Sequence, residues 1–97
     1  MKAHLKSNNS AQERAQTLAL QALTHILNHE DQLAGFMDLT GFGMDDFMAL
    51  TPDLLNAALD YFLQNEELLL QFCGEHSIDP MMPMKAYRVL NPESMIP

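Results

Sequence analysis

Apolar side chains recur at helical spacing along the first third of the chain. At about 100° per residue, the apolar positions between 15 and 27 form one broad arc, and the polar ones lie opposite. Ser10-Ala11-Gln12-Glu13 has the pattern of a capping box, in which the serine and glutamate side chains accept hydrogen bonds from backbone N–H groups of the first turn. The pattern predicts a helix that begins at Ser10, ends near Asn28 and buries more than half of its surface.

Two further elements are predicted before the middle of the chain. Residues 31–40 form a short amphipathic helix, and Gly41 suits the left-handed position that follows a helix. Phe42 then packs back as the hydrophobic contact of that cap. Residues 45–50 are predicted to form one more helical turn.

The second half opens with a stronger start signal. Thr51 can cap a helix whose first residue is Pro52, where the missing N–H costs nothing. From Leu54 onward only Asn56, Asp60 and Gln64 form a polar stripe on this helix, so it is expected to be the central element. Asn65 caps a helix that ends around His76, and Asp79-Pro80 predicts a last helix through Leu90.

The two halves resemble each other at an offset of 36 residues. Residues 18–44 aligned with 54–80 give seven identities: Leu18/Leu54, Ala22/Ala58, Leu23/Leu59, Leu27/Leu63, Glu30/Glu66, Leu33/Leu69 and Phe36/Phe72. We interpret this as a duplicated helix-turn-helix. The prediction is an all-α bundle of five or six helices, with one domain at 10–90 between flexible tails at 1–9 and 91–97.

These residues resemble a known family, the small alphaproteobacterial proteins grouped as domain of unknown function 3572. The resemblance spans about residues 15 to 90 and departs from the family where Ser77 replaces the usual glycine. It implies an all-helical fold and a bacterial cytoplasmic setting, and it carries no activity or catalytic residues. The matching motifs are Leu18-Ala19-Leu20-Gln21-Ala22-Leu23, Leu39-Thr40-Gly41, Leu59-Asp60-Tyr61-Phe62-Leu63, Glu66 with Leu68-Leu69-Leu70 and Phe72, and Ile78-Asp79-Pro80.

Charge is distributed unevenly along the chain. Residues 15–84 contain eleven acidic residues and no lysine or arginine, within a net charge of −8. Such a field repels nucleic acid and anionic lipid and attracts a cationic partner. The simpler alternative is that the acids only keep an apolar bundle soluble. The basic residues all lie near the ends: Lys2, Lys6, Arg14, Lys85 and Arg88.

Composition narrows the cellular setting. No run of about 20 apolar residues is present, and no apolar stretch follows Lys2 and Lys6 as in a signal peptide. The single cysteine cannot form a disulfide within the chain. We therefore expect a cytoplasmic protein without a membrane partner.

Two pairs of side chains are candidates for chemistry. His25 and His29 are four residues apart on one helix, a spacing that can place two imidazoles on one metal if His76 or a carboxylate supplies a third ligand. Cys73 and His76 could form a thiolate–imidazolium pair, although an apolar helix with Glu67 and Glu75 nearby would raise the pKa of the thiol. Neither pair completes a site by itself, and we expect no bound metal or cofactor.

The methionines suggest a contact surface. The chain has eight, and a bundle of this size cannot bury the clusters at the ends of both halves. The leading hypothesis is a non-enzymatic, acidic interaction module for a basic protein partner or a second copy of itself. The alternatives are a metal- or thiol-dependent enzyme or sensor, a structural homo-oligomer, and methionines that simply fill the core. The predicted contact residues are Met44, Phe47, Met48, Met81, Met82 and Met84.

Overall fold

The computed structural model describes residues 2–92, with side chains from Ser10 onward. That part of the chain contains six helices and no strand, which confirms the predicted all-α fold. None of these helices combines the length and the apolar character that crossing a bilayer requires. The helices are α1 (Lys2–Leu27), α2 (Glu30–Thr40), α3 (Met44–Ala49), α4 (Pro52–Leu63), α5 (Glu66–His76) and α6 (Met82–Leu90).

Helix α1 starts earlier than its sequence signal predicts. It begins at Lys2, so Ser10 lies inside the helix and the predicted cap there is wrong. No proline or glycine stands between Lys2 and Ser10 to stop the helix from continuing toward the N-terminus. The flexible tails predicted at 1–9 and 91–97 fall mainly on parts outside the described residues, namely Met1, the side chains before Ser10, and residues 93–97.

The predicted helix starts in the second half are largely confirmed. The Leu54 N–H donates to Thr51 Oγ1 at 3.2 Å, with Pro52 at the first helical position. The Leu68 N–H donates in the same way to Asn65 Oδ1 at 3.2 Å. Asp79 accepts from the Met81 N–H at 2.9 Å, but this bond closes a turn and α6 begins only at Met82.

Two equivalent helices end in the same conformation. Gly41, after α2, has φ 81°, and Ser77, after α5, has φ 55°. Each is the cap residue of its helix, and its N–H donates to a carbonyl four residues earlier, on Met37 and Cys73 respectively. Glycine adopts this left-handed conformation without the steric cost that other residues meet. Ser77, where the resemblance implies a glycine, therefore has a backbone conformation that glycine adopts more easily.

The core forms where the long helices meet. Helix α4 packs against α1, and α6 packs against both of them, while α2 lies on α1 and α5 lies on α4. Helices α2 and α5 have eleven residues each. Their first residues are 36 positions apart in the sequence, and so are their last residues. The superposition of the two halves stays a prediction. Five pairs of the aligned segments 18–44 and 54–80 are buried in both halves: Leu18/Leu54, Ala22/Ala58, Leu23/Leu59, Ile26/Phe62 and Phe36/Phe72.

The position of Leu59 in this core gives a direct test of the fold. Its side chain is fully buried on α4. Replacing it by alanine leaves a cavity, so Leu59→Ala should lower the free energy of unfolding by about 2–5 kcal/mol in urea titrations followed by circular dichroism. Leu39→Ala is the matched control, since Leu39 is 70% exposed, and it should change stability by less than about 0.5 kcal/mol. Equal effects of the two variants would contradict the assignment of the core.

The left-handed cap residues Gly41 and Ser77 predict opposite effects of exchanging serine and glycine. Ser77→Gly should raise the free energy of unfolding by about 0.5–1 kcal/mol, because the relief of strain exceeds the extra entropy of glycine in the unfolded chain. Gly41→Ser should lower stability by a similar amount, since a Cβ at Gly41 would meet no atom within 4 Å and the cost is conformational only. Thermal unfolding of both variants checks this, and a destabilised Ser77→Gly protein would refute it.

Candidate functional site

An open pocket of about 400 Å³ lies between the C-terminal half of α1 and the end of α5. Three histidines and a glutamate line it together with mostly uncharged residues of α1. His25 and His29 come from the last turns of α1 and the short link to α2, whereas Glu75 and His76 come from the last turn of α5. The fold thus brings together residues that are about 50 positions apart in the sequence. We refer to His25, His29, Glu75 and His76 as the histidine cluster.

His25 is the buried member of the histidine cluster, with 2% of its surface exposed. Its Nδ1 lies 3.2 Å from His76 Nε2, a hydrogen bond in which one nitrogen donates and the other accepts. The same Nδ1 lies 3.8 Å from Glu75 Oε1. On the other side of the ring, Nε2 is buried without a hydrogen-bond partner, and the ring makes edge contacts with Phe62 and Phe72. Only Nδ1 of His25 can therefore take part in polar chemistry in the pocket.

His29 is held by the backbone of the helix before it. Its Nδ1–H donates to the carbonyl of His25 at 2.7 Å, and its ring stacks on the His25 ring at 4.0 Å between centroids. A carbonyl can only accept, so Nδ1 carries the proton and, in the neutral ring, Nε2 carries a lone pair. That Nε2 lies 3.9 Å from Glu75 Oε1.

The surroundings of His25 favour its neutral form. Burial lowers the pKa of His25, and the neighbouring His29 lowers it further. Glu75 acts in the opposite direction, while His76 again lowers the pKa. Burial of a cation without full compensation is the dominant cost, so the neutral ring is favoured at pH 7.

Cys73 does not join the histidine cluster. Its side chain is buried in the core on α5, and burial raises the pKa of the thiol, with a further contribution from Asp79. The raised pKa agrees with the expectation from sequence, but the charge contribution comes from Asp79 and not from Glu67 and Glu75. A protonated, enclosed thiol is a poor nucleophile, so the geometry does not support a Cys73–His76 catalytic pair.

Glu75 is the residue whose role in the cluster the sequence analysis missed. The spacing of His25 and His29 on one helix was a usable signal for two of the groups, and His76 was named as a possible third. Glu75 appeared only as a neighbour of the thiol, because nothing in the local pattern shows that the last turn of α5 lies beside the last turn of α1.

The predicted contact residues lie on α3, on α6 and at Met81 directly before α6, and they differ in exposure. Met48 is 83% exposed, and Met44, Met81, Met82 and Met84 are exposed by 40–64%. Phe47 is different, and its placement on a surface is wrong. Its side chain is buried and stacks on Phe36 with centroids 6.1 Å apart. Since α3 has only six residues, Phe47 is the group that fixes it to the core, and this leaves Met44 and Met48 in solvent.

Comparison with known proteins gives one match. The model of a family described as protein of unknown function (DUF3572) matches residues 12–93, which include α2 to α6 and most of α1. No curated protein and no solved structure matches the chain significantly.

The buried imidazole predicts how stability depends on pH. Because the folded-state pKa of His25 lies below the unfolded value of 6.5, the unfolded chain takes up a proton first as the pH falls. The free energy of unfolding should therefore decrease from pH 7.5 towards pH 5. His25→Leu should lose less stability over that range, measured by urea titration with EDTA present. An equal or larger loss of stability in His25→Leu would contradict the prediction.

Proposed function

The chain belongs to the DUF3572 family, and we propose that it acts as a non-enzymatic interaction module in the bacterial cytoplasm. The binding partner that we propose is a basic, amphipathic helix of another protein. The proposed contact is the exposed apolar surface of α3 and its neighbours, which we call the α3 surface and which consists of Leu39, Met44, Met48 and Leu50.

The exposure of these side chains is the observation that carries the proposal. Leu39 is 70% exposed, Met48 83%, Met44 60% and Leu50 44%. Four large apolar side chains around one short helix leave apolar surface in water, and such patches commonly mark protein interfaces. Methionine is flexible and polarizable, so it adapts to the irregular surface of a partner helix.

Charge selects the partner. Asp38 and Asp45 are exposed within the same segment, and residues 15–84 contain no lysine or arginine. A basic helix would gain from this field, whereas a second copy of a chain with net charge −8 would be repelled. The methionines of α6 are close in sequence to Lys85 and Arg88, whose charges would repel a basic partner, so α3 is the preferred contact.

The test uses a defined probe instead of an unknown partner. A helical peptide of leucine and lysine, with its leucines on one face, should bind the protein in a fluorescence anisotropy titration. Met48→Lys should weaken the binding at least about tenfold, because it adds a desolvated charge that also repels the peptide. Gln71→Lys is the matched control: Gln71 is exposed on α5, so it adds the same charge elsewhere and should have a smaller effect.

Two outcomes would overturn this proposal. Equal loss of binding in Met48→Lys and Gln71→Lys would show that only net charge matters and that α3 is not the contact. The structural homo-oligomer would be favoured if the wild type fails to bind the peptide and is a dimer in sedimentation equilibrium, and if Met48→Lys converts that dimer to a monomer. Circular dichroism should show unchanged helicity in both variants, since both positions are exposed.

A further inference from the structure

We propose that His25, His29 and Glu75 form a binding site for a zinc-type divalent metal ion, with His76 as the fourth ligand. This goes beyond the proposed interaction at α3 and is independent of it, because the histidine cluster lies between α1 and α5. It also departs from the expectation from sequence that no metal is bound, in which only His76 or an unspecified carboxylate could join His25 and His29 as a third ligand.

The distances within the histidine cluster are close to those of a metal site. One ligand atom from each of His25, His29 and Glu75 lies within 4.8 Å of the other two. Two ligands of a tetrahedral ion with bonds of about 2.1 Å are separated by about 3.4 Å. The 3.8 and 3.9 Å from Glu75 Oε1 to the two imidazoles exceed this by about half an ångström. The Glu75 side chain is 46% exposed, so it can rotate to close that gap.

His76 is already at ligand spacing from His25. The 3.2 Å between His76 Nε2 and His25 Nδ1 is near the separation of two ligand atoms on one tetrahedral ion. In the metal-free protein a proton lies between these nitrogens. Metal binding would move that proton to the other nitrogen of the ring that carries it, since a neutral imidazole keeps one N–H, and both lone pairs would then face the ion.

The orientation of His29 is fixed as in known metal sites. Metal-bound histidines usually donate their second N–H to a carbonyl or carboxylate, which sets the tautomer and the direction of the ring. His29 makes this bond to the His25 carbonyl at 2.7 Å and presents Nε2 to Glu75. The ligand is thus oriented before any metal binds.

The burial of His25 is a second and independent observation. His25 is only 2% exposed and its Nε2 has no hydrogen-bond partner, so burying this imidazole lowers the stability of the fold. An apolar side chain would pack at this position without that cost. The only nitrogen of this ring that faces polar groups is Nδ1, and it points toward His76 and Glu75. Coordination would take place at Nδ1, the ring nitrogen that faces the pocket, and Nε2 would then carry the proton and stay without a partner in the core.

The donor set identifies the class of metal. Imidazole nitrogens with one carboxylate suit Zn²⁺ and related transition ions, whereas Ca²⁺ and Mg²⁺ require mainly oxygen ligands. The four side chains supply three nitrogens and one carboxylate in an open pocket. Zn²⁺ is therefore the probe ion.

The experiment titrates protein without a histidine tag with Zn²⁺ against a chromophoric chelator. The wild type should bind one Zn²⁺ per chain and should unfold at a higher temperature when Zn²⁺ is present. Glu75→Gln, His29→Ala and His76→Ala should each lower the affinity at least about tenfold. None of these side chains is buried, so the variants should keep the helical circular dichroism signal of the wild type.

A matched control separates coordination from charge. Glu67→Gln removes the same charge from an exposed position on α5, eight residues before Glu75, and should leave Zn²⁺ affinity unchanged. Co²⁺ should give the visible absorption of a four-coordinate ion in the wild type and in Glu67→Gln, but not in Glu75→Gln. Absence of Zn²⁺ binding at micromolar concentration, or equal affinity of the two glutamate variants, would overturn the site. Unchanged affinity in His76→Ala would overturn its assignment as the fourth ligand.

Discussion

The stacking of Phe72 on Phe62 determines where α5 lies, and the pocket depends on it. The two rings are fully buried, nearly parallel and 4.8 Å apart between centroids. His25 of α1 contacts the edges of both rings, so three helices meet at this point. Glu75 and His76 follow Phe72 by about one helical turn and therefore reach the same side of α5. Burying one aromatic pair in the core thus also assembles a polar cluster at the surface.

A ring contact equivalent to that between His25 and Phe72 exists in the other half of the chain, between a different pair of side chains. At the 36-residue offset, the contact between His25 and Phe72 corresponds to the contact between Tyr61 and Phe36. Both are edge-on ring contacts, with centroids 5.2 and 5.5 Å apart. This reciprocal pair supports the duplication more strongly than leucine identities do, because it joins equivalent positions across the two halves.

The halves differ in the residues that follow their anchoring phenylalanine. Glu75 and His76 correspond to Leu39 and Thr40 at that offset. Thr40 Oγ1 donates to the carbonyl of Phe36, and Leu39 is exposed. One half therefore carries the polar groups of the proposed ion site, and the other carries part of the proposed contact surface. Two halves with different outer faces are consistent with separate roles for the α3 surface and the histidine cluster.

Sequence alone defined the helices better than it defined the sites. The caps at Thr51 and Asn65 depend on a side chain and a backbone N–H three residues away, so local spacing was sufficient to predict them. The start of α1 was missed because the capping pattern at Ser10 can also occur within a continuous helix. Phe47 and Glu75 were misjudged for a different reason: their surroundings are set by how α3 and α5 dock on other helices, and no local pattern encodes that.

The most direct test of this account is a nuclear Overhauser measurement on the metal-free protein in solution. If α5 lies against α1 through Phe72, the ring protons of His25 should show cross-peaks to the rings of both Phe72 and His76, whose centroids lie 5.2 and 5.3 Å from that of His25. Cross-peaks from His25 to Phe62 alone, with none to either ring of α5, would contradict it, because α5 would then lie elsewhere and the pocket would not form.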